Sequence, residues 1–141
     1  NIVEIKYLIY LKMTTLNING SMDAHERYKM PAIEISIIGN YTIITNIDKI
    51  SKSLERDSGW ILKYIQSNLS TSLNKNKLSG IYNKNELQEI IYKFINDIVL
   101  CSHCNNPETV VSNNKKKLTC KACGMETKIS VSEKFNKFIS K

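Results

Sequence analysis

The sequence predicts an α+β protein: a small mixed α/β domain with a four-stranded sheet and packed helices, followed by a compact module closed by four cysteines. Three observations carry this. β-branched residues alternate over Ile33–Gly39 and continue in the same style over Tyr41–Thr45. Apolar positions then recur at three and four along two short segments and one longer one. Finally, Cys101-Ser-His-Cys104 and Cys120-Lys-Ala-Cys123 stand fifteen residues apart, and no other cysteine occurs. The expected division is a flexible N-terminal segment over residues 1–30, the α/β domain over 31–99 and the cysteine module, a zinc ribbon, over 100–141.

Taken in order, the two alternating runs form a hairpin turning at Gly39-Asn40. Asn46 is placed to cap a short helix carrying Ile47, Ile50 and Leu54 and ending near Arg56. Asp57 or Ser58 caps a second helix with Ile61, Leu62, Ile65 and Leu69 on one face and Trp60 and Tyr64 one turn apart beside it. A helix-turn-helix reading is disfavoured, because that second helix lacks base-reading side chains near its start. Ser70–Leu73 and Lys77–Ile81 pair across Asn74-Lys-Asn76 to extend the sheet. The clearest helix follows: Asn83 and Glu86 make a capping-box variant, and Leu87, Ile90, Ile91, Phe94, Ile95 and Ile98 form the stripe that packs on the sheet.

The two cysteine pairs have the spacing of a tetrahedral zinc site, with each thiolate ~2.3 Å from the metal and the intervening hairpin bringing the pairs together. Two disulfides would suit a secreted chain, but no signal-peptide pattern stands at the start of this sequence. One structural zinc ion on Cys101, Cys104, Cys120 and Cys123 is therefore expected, with His103 left exposed and outside the ligand set. The formal charge is +7, and most of the excess lies in the cysteine module, where Lys115, Lys116, Lys117, Lys121 and Lys128 cluster. Such a patch suits phosphates or an acidic protein face, although few aromatics accompany it to stack bases. No apolar run approaches the ~20 residues of a membrane span, so a cytoplasmic protein with no membrane partner is expected.

The order of Arg27-Tyr-Lys-Met-Pro31, Thr42-Ile-Ile-Thr-Asn46, Lys63-Tyr64, the Phe94–Cys101 run and Asn106-Pro-Glu-Thr109 resembles the family of eukaryotic translation initiation factor 5 and the beta subunit of initiation factor 2. The resemblance covers roughly residues 22 to 140 and leans toward factor 5. It implies an α/β domain with a zinc ribbon that binds initiation factor 2 on the small ribosomal subunit, near initiator tRNA, and promotes GTP hydrolysis by the gamma subunit. Carried over residue by residue, it implies that Arg27 acts in trans as an activating arginine and that Lys63 assists, with Arg56 and Lys29 as lesser candidates for partner contact. A guanidinium so placed offsets charge on the transferring phosphoryl group, an effect of about 10³–10⁵ in rate. The chain itself is then no enzyme, and it contains no G-x-x-x-x-G-K-[ST] loop.

Two departures qualify the resemblance. The Gly39-Asn40-Tyr41 turn is shorter than the family's Gly- and Lys-containing loop, so contact with initiator tRNA is expected to be reduced or made by Tyr41. The C-terminal helical-repeat domain of factor 5 is not in this sequence, which implies weaker recruitment, and Met13 stands where the start methionine of factor 5 would fall. The alternatives are a beta-like structural subunit of initiation factor 2 and a zinc-ribbon DNA-binding or transcription protein.

Overall fold

In the computed structural model, residues 15–23, 25–112 and 117–129 are described. Met13 and residues 1–12, together with Lys115 and Lys116 of the basic run, lie outside the described residues. Three antiparallel sheets and three helices follow one another along the chain. The first sheet pairs β1 (Thr15–Asn17) with β2 (Lys29–Pro31), placing Leu16 opposite Met30. Leu16, Ile18 and Met30 are all buried, so the apolar core draws on residues ahead of position 31, where the sequence reading began the domain.

The second sheet has four strands, as expected, in the order β3 (Ile35–Ile38), β4 (Tyr41–Ile44), β6 (Lys77–Ser79), β5 (Leu73–Asn74). Ile38 pairs directly with Tyr41 across a two-residue turn in which Gly39 has φ +59°. Glycine reaches that conformation without steric cost, and the first position of a tight hairpin turn requires it. The alternation over Ile33–Ile38 does not translate into an equally alternating burial. Ile33 is fully buried, whereas Ile37 and Ile38 are about half exposed. Ile37 shares a face with Thr42 and Leu78, both fully buried, but β3 is the edge strand and its tip extends past the layer covering its neighbours.

Three helices supply that layer: α1 (Ile47–Leu54), α2 (Ser58–Leu69) and α3 (Lys84–Phe94). Asp57 caps α2, its carboxylate accepting from the Gly59 amide at 2.7 Å, and Asn83 caps α3, accepting from the Glu86 amide at 2.8 Å. Asn46 departs from expectation. It occupies the N-cap position of α1 but its side chain makes no cap hydrogen bond. Instead its Nδ2 donates to the Ala32 carbonyl at 2.8 Å and its Oδ1 accepts from the Glu34 amide at 3.0 Å. A buried carboxamide with a donor and an acceptor stitches the segment between β2 and β3 to the start of α1, a demand that outweighs capping.

The predicted stripe on α3 is buried throughout, Leu87, Ile91, Phe94, Ile95 and Ile98 completely so. Tyr64 of α2 meets Phe94 edge to face, with ring centroids 5.4 Å apart. Beyond Phe94 the helix widens into a π-helical turn over Ile95–Val99. That turn rotates Val99 as well as Ile98 into the core and leads within two residues to Cys101. The third sheet, β7 (Thr109–Val111), β8 (Lys117–Cys120) and β9 (Glu126–Lys128), forms the ribbon, with β8 in the centre. Leu118 and Ile129 join the core of the α/β domain.

Candidate functional site

The four cysteines converge from two turns of the same design. In the first, the Asn105 amide donates to the Cys101 carbonyl at 2.9 Å; in the second, the Gly124 amide donates to the Cys120 carbonyl at 2.9 Å. Asn105 and Gly124 both have positive φ, 59° and 76°, which lets each turn reverse tightly behind its second cysteine. All four Sγ atoms lie within 4.8 Å of one another. The Cys101–Cys123 and Cys104–Cys120 separations are 3.6 and 3.5 Å. Sulfurs ~2.3 Å from one tetrahedral ion sit roughly 3.8 Å apart, whereas a disulfide brings them to ~2.05 Å. The donor set therefore fits a single metal ion, and each cysteine is unbridged.

Backbone amides prepare the cluster for negative charge. The Cys104 amide, opposed by burial and helped by the His103 amide, draws the Cys101 thiol down to about 7. The Cys123 amide likewise lowers Cys120 and points at its sulfur across 3.5 Å. His103 is exposed, as expected, and stands outside the cluster of four.

Arg27 lies at the end of the long loop joining β1 to β2, and its side chain is exposed. The loop is closely held. Asn17 Nδ2 donates to the Ser21 and Asp23 carbonyls at 2.9 and 2.8 Å, and the Ile18 amide donates to the Tyr28 carbonyl at 3.1 Å. Glu26 accepts from Asn19 Nδ2 at 2.9 Å. The Arg27 guanidinium carbon lies 5.5 Å from the centroid of the Tyr28 ring, within cation–π range. The Tyr28 hydroxyl in turn donates to Glu108 Oε1, on the ribbon. Thus the loop bearing Arg27 and the cysteine module, eighty positions apart in sequence, meet through one side-chain pair.

Lys63 belongs to a different element, the middle of α2, and is half-buried. Its neighbour Tyr64 donates from its hydroxyl to Asp97 Oδ2 at 2.7 Å, tying α2 to the π-helical turn. Burial first, then the Asp97 carboxylate, pushes the Tyr64 phenol well above its ordinary range, so it remains a donor.

Arg56, which the sequence offered as a surface residue for partner contact, is instead buried at the junction of the two modules. Its Nε and Nη2 donate to the Ile98 carbonyl at 3.3 and 2.9 Å. Nη2 also donates to Thr109 Oγ1 at 2.7 Å, and Nη1 to the Thr109 and Glu55 carbonyls at 3.2 and 3.0 Å. All five N–H groups of the fork are used. Burial, slightly offset by Glu55, lowers the guanidinium to about 10. Thr109 Oγ1 completes the knot by donating to the Val99 carbonyl. The π-helical turn is what leaves the Ile98 and Val99 carbonyls free of a further helical turn and available to the ribbon. Sequence reasoning missed Tyr28, Arg56, Glu108 and Thr109 as junction residues. Their one signal was that Tyr28 and Glu108-Thr109 sit inside two of the quoted motifs, Arg27–Pro31 and Asn106–Thr109.

The fold and site together define a class: a small α+β domain locked to a four-cysteine ribbon, presenting an arginine on a held loop. The family model for the domain found in initiation factors 2B and 5 matches residues 19–126. The chain is 37% identical over 139 residues to eukaryotic translation initiation factor 5 of Caenorhabditis elegans, covering 89% of this chain and 32% of that protein. With the factor 5 of Saccharomyces cerevisiae it is 33% identical over 142 residues, 89% of this chain and 35% of that protein. With the translation initiation factor 2 beta subunit of Methanopyrus kandleri it is 33% identical over 104 residues, 70% of this chain and 75% of that protein. The chain belongs to the translation initiation factor family of factor 5 and the initiation factor 2 beta subunit, as the motif order implied. It spans about a third of the length of these two factor 5 relatives.

Proposed function

We propose that this chain acts as a factor-5-like accessory to GTP hydrolysis, binding GTP-loaded initiation factor 2 on the small ribosomal subunit in the cytoplasm and presenting Arg27 to the gamma subunit, close to initiator tRNA. The observation that carries the reading is an exposed guanidinium on a loop whose backbone is fixed by internal hydrogen bonds. A free surface arginine would lose several rotors on docking; one held at its root has less to lose. On engagement, the planar fork would meet oxygens of the transferring phosphoryl group as charge builds there, the one task for which lysine is a poor substitute. The nucleotide, its pocket and the attacking water would belong to the gamma subunit. Lys63, on a separate face-bearing helix, would contribute a contact to the same complex rather than share the phosphate with Arg27.

The metal is proposed to be zinc, held by Cys101, Cys104, Cys120 and Cys123. Four soft thiolates with no open position select a closed structural site. When bound, the ion supplies folding free energy to the ribbon; the chain's own residues then carry the ribbon's position to the rest of the molecule. The similarity to an archaeal beta subunit over three-quarters of its length favours a second reading, a beta-like structural subunit in lasting complex with the gamma subunit.

Single-turnover GTP hydrolysis by initiation factor 2 with initiator tRNA on the small subunit separates the two. Acceleration by the chain that is lost in Arg27→Ala, and not restored by Arg27→Lys, supports activation in trans. Stable co-purification with the gamma subunit and no acceleration supports the beta-like reading.

A further inference from the structure

Resting on the Arg27 reading above, we propose that Tyr28 and Glu108 are a positioning pair, through which the ribbon holds the root of the Arg27 loop and fixes where the guanidinium is presented. The β1–β2 loop is pinned at its start by Asn17 and Ile18, but at its Arg27 end the long-range tie is the Tyr28 hydroxyl on Glu108 Oε1. Glu108 is itself immobilised. Its amide donates to Asn106 Oδ1 at 2.7 Å, its carbonyl accepts from the Lys121 amide at 2.9 Å, and the next residue, Thr109, is gripped by Arg56.

Lys121 lies between Cys120 and Cys123, so the chain of contacts runs from the second cysteine turn through Glu108 to Tyr28 and ends at the Arg27 side chain over the Tyr28 ring. The geometry leaves room for the arginine to swing if that tie is cut. Tyr28 lines a cavity of about 310 Å³ that also borders Ile18, Leu54, Glu55, Pro107 and Glu108, and a phenol no longer anchored can drop toward it, taking the guanidinium with it. The Glu108 carboxylate also pushes the Tyr28 phenol up, so the hydroxyl remains the donor in this bond. A displacement of about 1 Å in a group that must meet a transition state costs up to about a hundredfold in rate, while encounter with the partner is little affected.

The test uses the metal-loaded chain with Tyr28→Phe, Glu108→Ala, Glu108→Gln and the Tyr28→Phe/Glu108→Ala pair in single-turnover hydrolysis, titrating the factor to saturation. Tyr28→Phe and Glu108→Ala are each expected to lower the saturated rate constant about tenfold, with the half-saturating concentration changed less than about twofold. The double variant is expected to be no worse than either single one, and Glu108→Gln, which keeps an acceptor, to stay within about threefold of the parent. Losses that multiply in the double variant, or a change confined to the half-saturating concentration, overturn the proposal. Hydrogen exchange of the amides of residues 26–30 decides independently of hydrolysis. Exchange about tenfold faster in Tyr28→Phe is expected, and unchanged protection overturns the pair. If the parent chain accelerates nothing, the Arg27 reading fails, and the exchange result still decides whether Glu108 holds the loop.

Discussion

Replacing Arg56 with alanine is the most informative perturbation of the junction. It removes five hydrogen bonds at once and leaves the Ile98 carbonyl and both oxygens of Thr109 without this donor. Each buried acceptor stripped of its partner costs about 1–3 kcal/mol, and release from the guanidinium's own desolvation returns part of that. The net expectation is a loss of ~2–4 kcal/mol, with Arg56→Lys nearly as severe because an ammonium cannot span both carbonyls. The assay is urea unfolding of the metal-loaded chain. Trp60, the single tryptophan, lines a junction cavity with Arg56, Thr109 and Val111 and so reports this interface by fluorescence. Thr109→Val removes the hydroxyl shared by Arg56 and Val99, and the cycle of the two substitutions should show coupling of about 1 kcal/mol or more. An Arg56→Ala chain within about 0.5 kcal/mol of the parent, or strictly additive losses, would refute the clamp.

Chelation of the metal, or Cys120→Ser, should unfold residues 101–129 while residues 31–98 keep their helices; unchanged ribbon signals in a heteronuclear NMR spectrum after complete metal removal would count against a structural ion. Asn46→Ala should cost about 1–3 kcal/mol by orphaning the Ala32 carbonyl and the Glu34 amide. Asn46→Asp discriminates between roles: a true cap would tolerate it, whereas here a carboxylate would face the Ala32 carbonyl, so a stability at or below that of Asn46→Ala is expected. Both are read by denaturant melts.

Much of the fold was legible because local and global demands agree. The α3 stripe is buried as its period requires, the two caps at Asp57 and Asn83 satisfy helix amides, and the four cysteines meet as their spacing demands. What was not legible depends on contacts between distant segments. The strand at Thr15–Asn17 is only three residues long, and its burial is created by Met30 across the loop rather than by any pattern of its own. Asn46 stands where a cap belongs, and only the folded path of residues 32–34 reveals a better use for its amide. Arg56 follows the same logic: an arginine after a helix reads as solvated until the carbonyls of a π-helical turn and a ribbon strand arrive around it.

These ties converge on two consecutive residues. Glu108 receives Tyr28 and Thr109 receives Arg56, while Lys121, inside the second cysteine turn, donates to the Glu108 carbonyl. A short linker alone would restrict the ribbon without fixing it. Two side-chain clamps at adjacent positions, one reaching the β1–β2 loop and one the end of α1, hold it against both rotation and slip. Loss of the metal would release both clamps together, because the turn that holds Glu108 in place is built by the cysteines themselves. An ion far from any reacting atom thereby governs how the exposed arginine is presented: its contribution to activation would be seen as a fall in the saturated hydrolysis rate on chelation, before the α/β core has melted.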